Sequence, residues 1–429
     1  MRTIFKNLVV SLLTAEARFL LSRHQPIIIA VTGSVGKTAM KDAVFAVMKN
    51  RTSVRKSDKS FNSEIGIPLT ILGLPNAWNN PFGWIKNIID GAFTAVFSRT
   101  YPKVLVIEAG VDRPGDMKRL TAWLHPHVVV ITRLPDIPVH VEYFSSPEAV
   151  CAEKLILADA LRPDGVFVYN HDDRRLQEYA KTVRQPAIGY GRDLPTQVTA
   201  SADTTYYHNQ RPAGFSCTIS HVDQSATVKV PGVIGAHHAY TVAGAIAVAL
   251  SQGMTLQEAA VACTEYVPPP GRMRIHPGIK GTTIIDDTYN SSPTAAEAAL
   301  LALREVRHAK RKIAVLGDML ELGRFSAREH ERIGEQVPKA ADLLVTIGIR
   351  SQKTAEAALE HGLSEKYVLQ YEESVRAGKE LQNLIAPGDV ILVKGSQGIR
   401  AERVVEELMA EPDQAAEHLV RQDQAWQTR

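Results

Sequence analysis

The chain has 429 residues, enough for about two to three domains, and combines 45% hydrophobic with 22% charged residues. That balance excludes a disordered or fibrous protein, and a formal net charge of +3 without an Arg/Lys-rich stripe argues against a nucleic-acid partner. Cys151, Cys217 and Cys263 stand far apart with no CxxC spacing, so they read as reduced, packed thiols of a cytoplasmic protein.

Residues 1–26 come first. Phe5, Leu8, Val9, Leu12, Leu13, Phe19, Leu20 and Leu21 are interleaved with Arg2, Lys6, Arg18 and Arg23, and Glu16 and Arg18 interrupt the apolar run. The segment is too short and too charged to span a bilayer, and no small-residue cleavage site follows it. It is expected to be an amphipathic helix packed on the body of the protein. The alternative is peripheral attachment to the inner membrane surface, or contact with another protein.

The apolar run Ile27–Val31 leads directly into Thr32-Gly33-Ser34-Val35-Gly36-Lys37-Thr38, and Ala39–Lys49 follows as a helix. A strand, a glycine-rich turn and a helix N-terminus together make a phosphate cradle. Gly33, Ser34, Val35 and Gly36 would offer backbone N–H groups, Lys37 would reach the β/γ-phosphates, and the Thr38 hydroxyl would hold Mg²⁺. Val31 stands where the full Walker spacing has a glycine, so the loop is a shortened form.

Val104–Ile107, Val128–Ile131 and Val166–Tyr169 are short, β-branched and bounded, as buried parallel strands are. Glu108 closes the first of them, at the strand end where α/β sheets bind ligands, which suits a carboxylate that holds Mg²⁺. A proline-interrupted loop after the second delivers His140, and a helix opened by Ser146-Pro147-Glu148 carries Lys154. Between about 197 and 230 shorter alternating segments suggest a small antiparallel appendage, and His237–Gln252 an alanine-rich helix. Pro268-Pro269-Pro270-Gly271 cannot continue a helix and reads as a hinge. Beyond it Ile313–Leu316, Leu343–Ile347 and Val390–Val393 alternate with helices, a second doubly wound unit. The tail from about Glu411 is expected to be a loose helix or disordered. The fold class is therefore α/β: a central P-loop parallel-sheet domain (27–268) and a smaller C-terminal domain (272–429).

Taken in order, several segments together resemble the Mur ligase family, in its branch that adds D-alanyl-D-alanine to a UDP-muramoyl tripeptide. They are the loop 32–38, Phe61-Asn62-Ser63-Glu64-Ile65-Gly66-Ile67-Pro68-Leu69-Thr70, Glu108-Ala109-Gly110, His140 with Glu142 and Phe144, Lys154, and Asn170-His171-Asp172-Asp173. After the hinge come Gly271-Arg272, Asp286-Asp287-Thr288-Tyr289-Asn290, Leu316-Gly317-Asp318-Met319-Leu320-Glu321-Leu322-Gly323 and Val393-Lys394-Gly395-Ser396.

The resemblance implies an ATP-dependent ligase that forms a peptide bond through an acyl phosphate, with a Rossmann-like C-terminal domain. It assigns Thr38 and Glu108 to one Mg²⁺, and His140 with a carbamylated Lys154 to a second. It places Asn62, Glu64, Arg272, Asp287, Tyr289 and Asn290 with the nucleotide, and Lys394 and Ser396 with the incoming dipeptide. Lys37, Glu108, His140, Lys154 and Arg272 are the implied catalytic set. Small-molecule substrates, a muramoyl peptide and D-Ala-D-Ala, and a monomer are expected. A relative acting on another carboxylate, as folylpolyglutamate-type ligases do, and a non-catalytic scaffold are the alternatives.

The chain also departs from the family pattern. His237-His238 with Thr241 stand where the family has His-Asn and a second Asn, and Thr132-Arg133 replaces Thr-Asn. Ala39-Met40 follows the P-loop in place of hydroxyl residues. Family members carry a domain of very roughly a hundred residues before the P-loop, where this sequence has residues 1–26. Recognition is therefore expected to rest on the peptide end of the substrate, with weak affinity for UDP.

Overall fold

β1 (Ile27–Thr32) organises the larger sheet because both of its faces are covered. In the computed structural model, which describes residues 3–58, 61–423 and 426, Ile29 and Val31 join one hydrophobic core while Ile28 and Ala30 join another. This is the period-two alternation of a strand buried on both sides. β2 (Val54–Lys56), β3 (Val104–Glu108), β4 (Val128–Ile131), β5 (Val166–Asn170), β6 (Ala187–Gly191), β7 (Val198–His208), β8 (Arg211–His221) and β9 (Gln224–Pro231) complete it. Among the described residues the order is β2-β3-β1-β4-β5-β6-β7-β8-β9, parallel from β2 to β7 and antiparallel beyond.

Helices cover the two faces. α1 (Thr3–His24), α3 (Gly66–Leu72) and α4 (Pro81–Phe97) lie on one, with α5 (Asp116–Thr121), α6 (Pro147–Asp159) and α7 (Arg174–Ala180). α2 (Lys37–Lys49) packs with α8 (His237–Ser251) on the other, through Met40, Val44, Val47, Val242 and Ile246. The helix after the P-loop thus begins at Lys37, two residues earlier than the sequence suggests. α1 buries one face on the body of the protein, where Val9, Leu13, Ala17 and Leu20 are fully buried, while Met1 and Arg2 lie outside the described residues.

A second sheet contains β10 (Arg274–Pro277), β11 (Thr283–Asp287), β12 (Arg311–Gly317), β13 (Leu343–Ile347), β14 (Val368–Tyr371) and β15 (Asp389–Lys394). Among the described residues its order is β10-β11-β15-β12-β13-β14, with only β10 antiparallel. All three cysteines are buried, and burial pushes the Cys217 thiol up to about 12, so it is an inert packing residue.

Two expectations are corrected. Residues 198–231 are antiparallel as expected, but they are an extension of the main sheet and not an appendage to it: β7 pairs in parallel with β6 through Tyr190–Val198, and β8 and β9 follow antiparallel in the same sheet. Alternation there reflects half-exposed strands of an outer sheet region, not a detached unit. The tail from Glu411 is not loose over its described residues. Ala415, Leu419 and Val420 are buried, and Arg421 donates to the Thr288 carbonyl at 2.6 Å and the Tyr289 carbonyl at 3.3 Å. Hydrophobic anchors within a polar sequence hold it down.

Candidate active site

The P-loop has the backbone that its glycines permit. Gly33 sits at φ +136 and Gly36 at φ +84, and a Cβ on Gly33 would fall 2.1 Å from Thr132 Oγ1, so only glycine fits there. The loop is pinned by Ser34 N–H donating to the Arg133 carbonyl at 2.8 Å and Thr132 Oγ1 donating to the Val35 carbonyl at 2.6 Å. Lys37 opens α2 immediately after the left-handed Gly36, which puts the loop at a helix N-terminus.

Register brings Glu108 to this loop: Val31 pairs with Glu108 across β1 and β3. Glu108 is 2% exposed, its Oε1 accepts from Asn62 Nδ2 at 3.2 Å, and its Oε2 has no hydrogen-bond partner among the described residues. A buried carboxylate oxygen without a donor is costly unless a cation completes it. That orphan oxygen, whose charge also acts on Lys37 at the start of the P-loop helix, fits a hard divalent ion.

Lys154 lies on the buried side of α6 at 1% exposure. Burial lowers its pKa to about 7, and the neighbouring Lys37 charge adds to the effect. Lys37 is itself lowered by burial, opposed by Glu108 and assisted by Arg272. Lys37, Glu108, Lys154 and Arg272 therefore share one electrostatic environment, although they come from four separate segments. An amine held near neutrality can add CO₂, and the carbamate would offer oxygens where two ammonium groups repel.

His140 has a left-handed backbone, φ +70. Its Nδ1 lies 2.7 Å from Glu321 Oε2 and its Nε2 3.7 Å from Asp112 Oδ1. Glu321 belongs to the loop after β12, so this contact joins the two sheets' domains. The adjacent His140 ring holds the Glu321 carboxyl below its usual range. His140 and Lys154 do not form a cluster of three metal-ligating His, Cys, Asp or Glu side chains, and no such cluster exists among the described residues.

From the C-terminal side, Arg272 stacks on the Tyr289 ring at 4.1 Å, and its Nε is buried without a hydrogen-bond partner. Asp287 and Lys394 are register partners on β11 and β15 and form a buried ion pair at 2.6 Å. Lys394 also donates to the Asn290 carbonyl at 3.0 Å. Ser396 Oγ accepts from the Leu320 N–H at 2.9 Å and is buried. Lys394 and Ser396 thus brace the loops around the site instead of presenting free polar ends. Glu64 is exposed, and its carboxylate pairs with Lys6 of α1 at 2.6 Å.

Beside the P-loop, between the two sheets, is a cavity of about 110 Å³. Gly36, Tyr190, His238, Arg272, Asp287 and Lys394 all contribute to its wall. His238 is 1% exposed, and neither of its ring nitrogens has a partner among the described residues. Burial holds His238 well below its ordinary pKa and lowers His237 to about 4, so both are neutral. A small cavity walled by Tyr190 and two neutral imidazoles next to a phosphate cradle suits a nucleobase.

Sequence reasoning did not single out Asp112, Tyr190 or Glu321 as site residues. Glu321 lay within the quoted motif 316–323, and Asp112 follows Glu108 by four residues, which were the available signals.

Two family descriptions match the chain: the Mur ligase middle domain over residues 86–249 and the Mur ligase, glutamate ligase domain over 271–397. The UDP-N-acetylmuramoyl-tripeptide–D-alanyl-D-alanine ligase of Mycobacterium leprae (strain TN) is 30% identical over 397 residues, 87% of this chain and 71% of that protein. The chain belongs to the Mur ligase family. The Bacillus subtilis (strain 168) ligase of the same name is 29% identical over 90% of this chain and 76% of its own length. Among solved Mur ligases, the MurF ligase of Thermotoga maritima in complex with ADP superposes with a TM-score of 0.76 at 25% identity, covering 95% of this chain and 85% of that one. Folylpolyglutamate synthase from Mycobacterium tuberculosis, at a TM-score of 0.65 and 16% identity over 93% of this chain and 94% of that one, shares the fold.

Proposed function

We propose that this Mur ligase joins D-alanyl-D-alanine to the terminal carboxylate of a muramoyl tripeptide, using ATP and passing through an acyl phosphate. One observation carries the reading: the P-loop, the orphan oxygen of Glu108, Lys154 and Arg272 converge on one crevice, in a chain similar over nine-tenths of its length to ligases of that name.

A substrate carboxylate and a γ-phosphate repel each other, so their reaction needs neutralisation and alignment. Lys37 and the P-loop amides receive the phosphates, and Arg272 approaches them from the other domain. Thr38 and Glu108 would hold one Mg²⁺, and His140 with carbamylated Lys154 the second. Bound there, the ions supply Lewis-acid neutralisation of the phosphate and carboxylate oxygens. The carboxylate attacks the γ-phosphorus, ADP leaves, and the dipeptide amine then displaces phosphate from the acyl carbon. His238, Asp287, Tyr289 and Asn290 border the nucleoside, while Lys394 and Ser396 keep the acceptor-side loops in place. Domain closure about Pro268–Gly271 would exclude water from the acyl phosphate.

The test is phosphate release by the purified chain with UDP-muramoyl tripeptide, the same peptide without UDP, and a folate substrate, each with and without D-Ala-D-Ala. Dipeptide-dependent turnover on the muramoyl peptides is expected. Turnover on the folate alone overturns the assignment.

A further inference from the structure

Away from the crevice, two neighbouring helices leave large apolar side chains in solvent. α4 is capped by Asn80, which accepts the Gly83 N–H at 3.1 Å, and it buries only Trp84, Asn87, Gly91 and Ala95. Phe82, Ile85, Ile89, Phe93, Val96 and Phe97 are 47–81% exposed. Their spacing follows the helical repeat, so they form one stripe along the outer face. α1 lies alongside: Glu16 reaches Gly91, and Arg23 donates to the Ala95 carbonyl at 3.1 Å. Its own outward side chains Leu8, Leu12 and Phe19 are 39–55% exposed. Soluble monomers seldom expose a continuous apolar surface of this extent.

The surroundings are basic. Arg18 and Arg23 flank the stripe on α1, Lys86 interrupts it on α4, and Arg99 and Lys103 follow α4. Asp90, the acidic side chain on the outer part of α4, is neutralised by Lys86. Phe19 and Arg18 also border a concavity of about 650 Å³ at the start of β1, whose wall includes Arg162, His125, a His127 that burial and Arg162 keep from protonating, and no acidic residue. Asp164 pairs with Arg162 from outside that wall at 3.2 Å. A second copy of this face would oppose basic rim to basic rim. An anionic lipid surface is complementary to both features.

We propose that the α1–α4 face docks on an anionic bilayer, with the Phe/Ile stripe entering the acyl boundary and the basic concavity facing lipid phosphates. The concavity lies at the beginning of β1 and the P-loop at its end, about 20 Å away along a six-residue strand, so docking leaves the crevice open. This proposal goes beyond the ligase reading and does not depend on it.

The experiment is flotation of the full chain, without substrates, on vesicles of phosphatidylcholine alone and of phosphatidylcholine with about one-third phosphatidylglycerol. Binding to the anionic vesicles is expected, weakened by high salt and reduced about tenfold or more in Ile89→Glu/Phe93→Glu. Arg18→Glu, a fully surface change, should weaken binding independently. Circular dichroism confirms that both variants fold. Failure to bind either vesicle, or binding that the variants leave unchanged, overturns the proposal. So does a stable dimer that Ile89→Glu/Phe93→Glu disperses while the parent chain ignores lipid.

Discussion

Lys154 and His238 are the two residues whose buried state most directly implies chemistry. Burial lowers the Lys154 ammonium to about 7, so the neutral amine needed for carbamate formation becomes populated as pH rises through that value. Activity should climb through pH 7 and respond to bicarbonate. Lys154→Ala should reduce turnover by about 10²–10³-fold while nucleotide still binds, with partial recovery on adding a small carboxylate. Steady-state kinetics beside an ATP-binding titration separates these effects. Loss of ATP binding in that variant would assign Lys154 to the cradle instead.

His238 makes a divided prediction. Its two unpartnered ring nitrogens in the cavity wall destabilise the empty protein. His238→Leu should raise stability by about 1–2 kcal/mol and weaken nucleotide binding about tenfold, because the base loses a polar contact. Thermal unfolding and a nucleotide titration read the two halves. Unchanged affinity would show that the imidazole does not touch the base.

At the scale of elements, Asp173 shows what the motif Asn170-His171-Asp172-Asp173 does. Its carboxylate caps α7 by accepting from the Arg175 and Leu176 N–H groups, and it also accepts the Leu134 N–H at 2.6 Å. One side chain thereby sets a helix terminus and the loop that leads towards His140. Asp173→Ala should cost about 2–3 kcal/mol in denaturant unfolding, more than a surface cap alone. Asp172 has a separate duty, accepting N–H groups of Arg192, Asp193 and Leu194.

Glu16 controls the seating of α1. Burial raises its carboxyl to about 7, and its Oε2 has no hydrogen-bond partner among the described residues. The folded state therefore binds this proton more tightly than the unfolded chain does. Stability from α1 docking is greatest below the ordinary carboxylate pKa and declines as pH rises from there to about 7. Glu16→Gln should flatten that dependence and protect α1 at pH 8. Hydrogen exchange of α1 amides across this range checks it, and an unchanged slope would exclude Glu16 as its source.

Across the whole molecule, the His140–Glu321 contact is a direct polar link between the two domains at the edge of the crevice. Glu321→Gln should loosen this docking, raise KM for ATP several-fold and widen the solution scattering profile of the nucleotide-free chain. Because His140 holds the Glu321 carboxyl below its usual range, the carboxylate half of this link is lost only as pH falls through the lowered value. Identical scattering by the variant and the parent would show that apolar contacts alone fix the arrangement.

The α/β alternation, the P-loop and the position of Glu108 at a strand end were legible in the sequence, because each is a local pattern within a few residues. Local patterns follow from backbone sterics and side-chain periodicity, which need no distant partner. Register, burial and pairing are different: they depend on which segments meet. Only the tertiary structure joined β7–β9 to the main sheet, seated the polar tail beneath Tyr289, and matched Asp287 with Lys394. It also paired Glu64 with Lys6 and left α4 with an uncovered apolar face. A residue's charge is written in the chain, but the neighbours and the water that set its work arrive only when remote strands pack together.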